Sequence, residues 1–184
     1  VQVERLTRLR SGDLNDLCDA ATAAIEDGGG FGWLAPPPRE QMERYWRGVL
    51  VVPERSLWVG RLDGVICGSA QLVRPARNNE AQAHAVTLTT SFVAPWARGY
   101  GVARRLTLAL EDEARAAGFT VINLDLRETQ VEARALFESL GFKPWGRHPC
   151  YAMVGGAPVA GHYYYKILSL DAAREAVGPD PDQR

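Results

Sequence analysis

The residues best suited to chemistry lie in one run, 98–103, which reads Arg-Gly-Tyr-Gly-Val-Ala. A β-rich stretch, 83–93, precedes it and is closed by Pro95. A helical pattern over 102–117 follows, with Leu106, Leu110 and Ala114 on one stripe. A strand thus feeds a glycine-punctuated turn that opens a helix. Such a turn presents unpaired N–H groups and the positive end of the aligned peptide dipoles. Gly99 and Gly101 lack a Cβ, so a ligand can approach the main chain closely, and Arg98, Arg104 and Arg105 add full charges. The run predicts a phosphate-bearing ligand, with a pyrophosphate the best match.

Two common phosphate sites are excluded by residue type. A nucleotide-triphosphatase loop needs Gly-Lys followed by Ser or Thr, whereas Gly101 is followed by Val102, Ala103 and Arg104. A dinucleotide fingerprint needs a third glycine where Arg104 stands, and Arg104 is too bulky for close helix–strand packing. An arginine-flanked turn that binds nothing is the plain alternative.

The elements that position this turn follow from periodicity and breakers. Residues 1–9 alternate as a first strand, and Ser11 or Asp13 caps a helix running to about residue 26. A loop over 27–38 carries three consecutive glycines and three consecutive prolines. A second helix, 39–51, places Met42, Tyr45, Trp46 and Val49 at helical spacing. Strands 56–61 and 65–73 form a hairpin around Asp63-Gly64, a strong two-residue turn signal. The long strand, the helix after the glycine turn, a strand at 120–126 and a helix at 131–140 come next. Strands 142–153 and 162–168 close the chain around Gly155-Gly156. The order is β-α-α-β-β-β-α-β-α-β-β, an α/β fold in one domain over residues 1–170. Residues 171–184 read as a frayed, polar, Pro-containing tail.

Bulk properties narrow the partners. The formal net charge is −1, and no basic tract points to nucleic acid. Arg outnumbers Lys nineteen to two without clustering as a binding device. Cys18, Cys67 and Cys150 are odd in number and lack metal-ligand spacing, which fits a reducing cytoplasm and no metal. No stretch reads as a signal peptide or a membrane span. The assembly is left open, a homodimer included.

Arg98-x-x-Gly101-x-Ala103 resembles the Arg/Gln-x-x-Gly-x-Gly/Ala signature of the GCN5-related N-acetyltransferase (GNAT) family. A second landmark looks like the same family: 124–130, Leu-Asp-Leu-Arg-Glu-Thr-Gln, then Ala133, Leu136-Phe137 and Leu140-Gly141-Phe142. The resemblance covers roughly residues 57–168. It implies a mixed, mostly antiparallel central sheet flanked by helices, and acetyl-CoA as co-substrate of an N-acetyltransferase. It further implies that the main chain of Arg98, Gly99, Tyr100, Gly101, Val102, Ala103 and Arg104 holds the pyrophosphate. Phe92 and Val93 would orient the thioester by backbone. Gln130 replaces the family's usual Asn at the second helix and keeps an amide for cofactor contact.

Two departures bear on catalysis. The family's leaving-group tyrosine aligns with Phe137, which the resemblance still implies as a cofactor contact but which carries no proton. Tyr100, Tyr151 and the 163–165 tyrosines are the alternatives, with Tyr151 favoured. The family's strand glutamate aligns with Thr87, which cannot act as a base. His84 is the best substitute by its ordinary pKa, with Asp125, Glu128, Glu80 and His162 behind it. Neutralising a lysine-like amine at pH 7 costs about 4–5 kcal/mol, against about 1 kcal/mol for an α-amine. A missing base therefore favours an α-amine or a water relay.

Phe31, Trp33 and Trp46 form a candidate aromatic wall for the acceptor, with Arg39 or Arg44 reading a carboxylate. The loop before the second helix and the Tyr164-Tyr165-Lys166 ending resemble tabtoxin-resistance-type acetyltransferases. This implies a small, amino-acid-like or antibiotic acceptor amine. Two other readings remain: a CoA-binding module with little catalysis, and a protein N-acetyltransferase.

Overall fold

The computed structural model describes residues 1–29 and 31–169; the tail expected over 171–184 lies outside them. Seven strands form one sheet: β1 (Gln2–Leu6), β2 (Arg55–Leu62), β3 (Val65–Val73), β4 (Ala85–Val93), β5 (Val121–Arg127), β6 (Lys143–Val154) and β7 (Ala157–Ile167). Their spatial order is β1-β2-β3-β4-β5-β7-β6. Every pair is antiparallel except β4 with β5. Four helices complete the fold: α1 (Asp13–Glu26), α2 (Arg39–Val51), α3 (Val102–Ala116) and α4 (Val131–Ser139). The architecture is the expected mixed, mostly antiparallel α/β fold.

The helices cover the two faces of the sheet. One core joins Leu106, Leu110 and Ala114 of α3 and Phe137 of α4 to Leu72, Leu88, Ile122 and Leu124. The other joins Leu17, Ala21 and Ile25 of α1 and Trp46 of α2 to Leu57, Ile66 and Phe92. Side chains alternate across a strand, so β5 sends Ile122, Leu124 and Leu126 into the α3/α4 core. Asn123, Asp125 and Arg127 therefore face the α1/α2 side.

Local differences from the expected elements have local causes. The first helix starts from Gly12, in the left-handed region at φ 90°, and no side chain caps it. Asp13 is instead buried, where one carboxylate oxygen meets Arg61 at 2.8 Å and the other accepts the Arg10 amide at 2.9 Å. Strand β7 begins at Ala157, five residues earlier than the tyrosine run implies. Gly155 and Gly156 both take positive φ and close a two-residue hairpin, so pairing starts at Val154–Ala157.

Candidate active site

β4 and β5 pair over three residues only, Ala85–Val121, Val86–Ile122 and Thr87–Asn123. Beyond Thr87 the two strands run on without a ladder. Leu88 to Val93 of β4 and Leu124 to Arg127 of β5 thus flank an opening in the sheet. β4 stays bonded to β3 across this region, and β5 to β7. The β4 register slips by one between Ser69 and Gln71, and Thr90 takes φ 52° there. A bulge of this kind bends the strand and leaves backbone groups unpaired next to the opening.

The glycine turn sits at the end of β4. A 3-10 turn, Pro95–Ala97, leads to Arg98, and Gly101 at φ 76° and ψ 14° opens α3. Ala97 and Val102 are buried and anchor the turn from both sides. The first backbone bond closing onto the turn is the Arg105 N–H to the Gly101 carbonyl, at 3.1 Å. Among the described residues, the amides of Gly99 through Arg104 donate to no backbone carbonyl. A Cβ built on Gly99 or Gly101 meets nothing within 4 Å, so the space before these amides is open. Unpaired donors, the α3 dipole and open space together suit the pyrophosphate of a CoA ester.

The arginines around the turn are shared with other elements. The Arg98 Nη1 meets Asp27 Oδ2 at 2.6 Å, tying the turn to the loop after α1. Arg104 reaches Ser139 Oγ on α4 at 3.3 Å. Arg105 points away and donates to the Val1 carbonyl at 2.9 Å.

On the α1/α2 side, the opening is flanked by Asp125 and Tyr151. The Tyr151 hydroxyl donates to Asp125 Oδ2 in a short hydrogen bond. Burial, then the hydrogen bond to Asp125 and its charge, push the Tyr151 phenol well above its ordinary pKa, so it stays protonated. At the C-terminal end of β5, a cavity of about 330 Å³ is walled by Ile25, Asp27, Trp33, Leu34, Arg127 and Val159, among others. Glu128 stands beside it, bonded to Arg147 at 3.0 Å and His162 at 3.1 Å. Chiefly the Arg147 guanidinium, and then His162, lower its carboxyl to about 2.

The expected site residues divide into three groups. The turn residues, Phe92, Val93 and Gln130 all lie around the opening: Phe92 and Val93 pair with Ser69 and Gly68, and Gln130 is half-buried at the N-cap of α4. Phe31, Trp33 and Trp46 do form one aromatic cluster, with Phe31 stacked on Phe92 at 4.9 Å. Trp33 alone of these lines the cavity, while Trp46 is wholly buried. Phe137 is also core, edge-on to Phe142 at 5.4 Å. His84 is exposed just before β4, ~30 Å of extended chain from Val93, and is not brought to the opening. Arg39 and Arg44 are spent on helix-surface pairs with Asp19, Glu43 and Glu40. Asp27, Arg127 and Gly161 were not singled out by sequence. Asp125, Glu128 and His162 carry a sequence signal as weaker candidate bases, and Tyr151 as the favoured proton donor.

Comparison with known proteins points to one family. Residues 18–142 match the family model "Acetyltransferase (GNAT) family". An N-acetyltransferase of Azospirillum brasilense, named uncharacterized and lying in the hisH-hisA intergenic region, is 76% identical over 130 residues, covering 71% of this chain and 77% of that protein. An IAA acetyltransferase of the same organism is 31% identical over 97 residues, 53% of this chain and 60% of that protein. An acetyltransferase of Salmonella typhimurium solved with acetyl-CoA superposes with a TM-score of 0.75 at 17% identity, covering 100% of this chain and 98% of that one. The ribosomal-protein-alanine N-acetyltransferase of Brucella melitensis superposes with a TM-score of 0.74 at 22% identity, covering 91% and 99%. With the glycine turn, the strand opening and a family match spanning most of the sheet in agreement, the chain belongs to the GNAT family of N-acetyltransferases.

Proposed function

We propose that this N-acetyltransferase moves the acetyl group of acetyl-CoA to the amine of a small molecule, directly and within a ternary complex. One observation carries the reading: the row of unpaired amides at 99–104 adjoins the β4–β5 opening, and a half-open cavity lies at the end of β5. In this reading the 99–104 main chain, with Arg98 and Arg104, receives the pyrophosphate. Phe92 and Val93 hold the pantetheine and thioester by backbone, and Gln130 contributes its amide.

The cavity volume supports a small acceptor, since about 330 Å³ is at the small end of ligand pockets. Trp33 and Leu34 supply apolar wall, while Asp27, Arg127 and Thr129 supply polar groups. Tyr151 remains the proposed proton donor to the departing thiolate: its hydroxyl keeps its proton and would turn it from Asp125 Oδ2 to the sulfur as the thiolate leaves. His84 is left out of the reading. The two buried thiols, Cys18 and Cys67, and the unbridged Cys150 support a cytoplasmic setting.

The test is release of CoA thiol from acetyl-CoA in the presence of amino acids, alkylamines, polyamines, aminosugars and short peptides. Turnover on a small amine, with none on peptides, is the expected result. Turnover on peptides alone would overturn the small-molecule reading. Tight acetyl-CoA binding without turnover on anything would instead favour a CoA-binding module.

A further inference from the structure

The wall between the β4–β5 opening and the acceptor cavity carries a built polar feature that the sequence motifs do not account for. Asp125 is exposed on the α1/α2 face of β5, two residues beyond the last β4–β5 pair. Its Oδ2 accepts the Tyr151 hydroxyl, and no hydrogen bond is made to Oδ1 among the described residues. Tyr163 is its direct cross-strand partner on β7, so the two side chains stand on one face. Trp145 and Tyr151 lean on the Tyr163 ring at 5.4 and 6.0 Å. The carboxylate therefore stands beside the Tyr151 and Tyr163 rings, with Trp145 packed against Tyr163.

The backbone is shaped to make this arrangement. Between His148–Gly161 and Ala152–Val159, β6 spends four residues where β7 spends two, and the extra chain carries Tyr151 over the sheet. The ring crosses directly above Gly161: a Cβ there would lie 2.1 Å from Tyr151 Cγ. Only glycine admits the ring at this position. The bulge and the glycine, on different strands, both serve to bring the phenol to Asp125.

We propose that Asp125, held by Tyr151 and paired across the strands with Tyr163, is the subsite that receives the protonated amine of the acceptor. A carboxylate oxygen pairs with an ammonium by a charge-assisted hydrogen bond, and aromatic faces add cation–π attraction. Tyr151 fixes the carboxylate rotamer by occupying Oδ2, so Oδ1 faces the incoming nitrogen. Arg127 follows two residues later on the same strand face and lines the cavity, so the amine end lies toward the opening and the acceptor body toward the cavity. The class of acceptor is an amine that is cationic in water. An amide or a neutral aromatic amine would find no gain there. The inference rests on the proposed placement of the thioester in the β4–β5 opening.

The test uses the full chain with Asp125→Asn, Asp125→Glu and Gly161→Ala, each checked for folding by thermal melt. Steady-state kinetics are measured with the small amine that the wild type acetylates fastest, and acetyl-CoA affinity by calorimetry. Asp125→Asn is expected to raise the amine KM about 10–100-fold with acetyl-CoA affinity unchanged, and Asp125→Glu to recover part of the loss. Gly161→Ala keeps the carboxylate but displaces the ring, and is expected to raise the same KM. An amine KM within twofold of wild type in Asp125→Asn would overturn the subsite while leaving acetyl transfer standing. An unchanged KM in Gly161→Ala would overturn the part given to Tyr151. A wild type that acetylates no small amine would overturn both the subsite and the small-molecule reading.

Discussion

Replacing Gly101 with valine separates the role of the turn in binding from its role in the fold. Gly101 sits at φ 76° and ψ 14°, a conformation that L-residues adopt at a cost of roughly 1–2 kcal/mol. Its missing Cβ points into open space, with nothing within 4 Å, so no clash inside the protein adds to that strain. For a chain of this length the melting temperature should fall by about 2–8 °C. Binding should suffer far more, because the new side chain occupies the space before the amides of 99–104. Losing two charge-assisted hydrogen bonds to the pyrophosphate, at about 1.5–3 kcal/mol each, weakens acetyl-CoA by roughly 10²–10⁴-fold. Calorimetry with acetyl-CoA, alongside a melt followed by circular dichroism, reads both effects. Gly48→Ala is the matched control: it lies inside α2 with open space at its Cβ, and should leave affinity unchanged. A folded Gly101→Val protein that binds acetyl-CoA within threefold of wild type would refute the pyrophosphate assignment.

Two further outcomes test other parts of the structure. Trp46 is wholly buried among Phe31, Tyr45 and Phe92, so Trp46→Ala should cost about 3–5 kcal/mol and lower the melting temperature by about 10 °C, measured by calorimetric scan. Glu128 has a carboxyl lowered to about 2 by Arg147 and His162 against an ordinary 4.5. A depressed acid stabilises the fold above its unfolded pKa and loses that contribution as pH falls toward the folded one. Wild type should therefore lose more stability than Glu128→Gln between pH 5 and pH 2, and parallel melting curves would contradict the pairing.

Most of the scaffold is readable from local pattern, because its signals are local. The alternation of Ile122, Leu124 and Leu126 with Asn123, Asp125 and Arg127 already assigns two faces to β5. Asp63-Gly64 closes the β2–β3 hairpin with positive φ at both residues, as the dipeptide requires. The 98–103 run likewise announces its own turn. What local pattern cannot carry is pairing register. Tyr151 meets Asp125 only because β6 bulges by two residues opposite Gly161, and that depends on how β5, β7 and β6 stack. Asp27 meets Arg98 across 71 positions of sequence, which no spacing rule reaches. Arg39 and Arg44 looked available for a substrate carboxylate, yet the α1/α2 surface supplies Asp19, Glu43 and Glu40 to engage them. Phe137 departs from the family pattern, and the α3/α4 core explains its apolar character.

The central claim is that acetyl-CoA lies against the 99–104 amides with its arm in the β4–β5 opening. Amide hydrogen exchange, with and without saturating acetyl-CoA, tests it at the groups concerned. Protection should rise over residues 99–104 and along Leu88 to Val93, where β4 has no β5 partner. Exchange that is unchanged in both segments while acetyl-CoA is bound, or protection confined elsewhere, would contradict it.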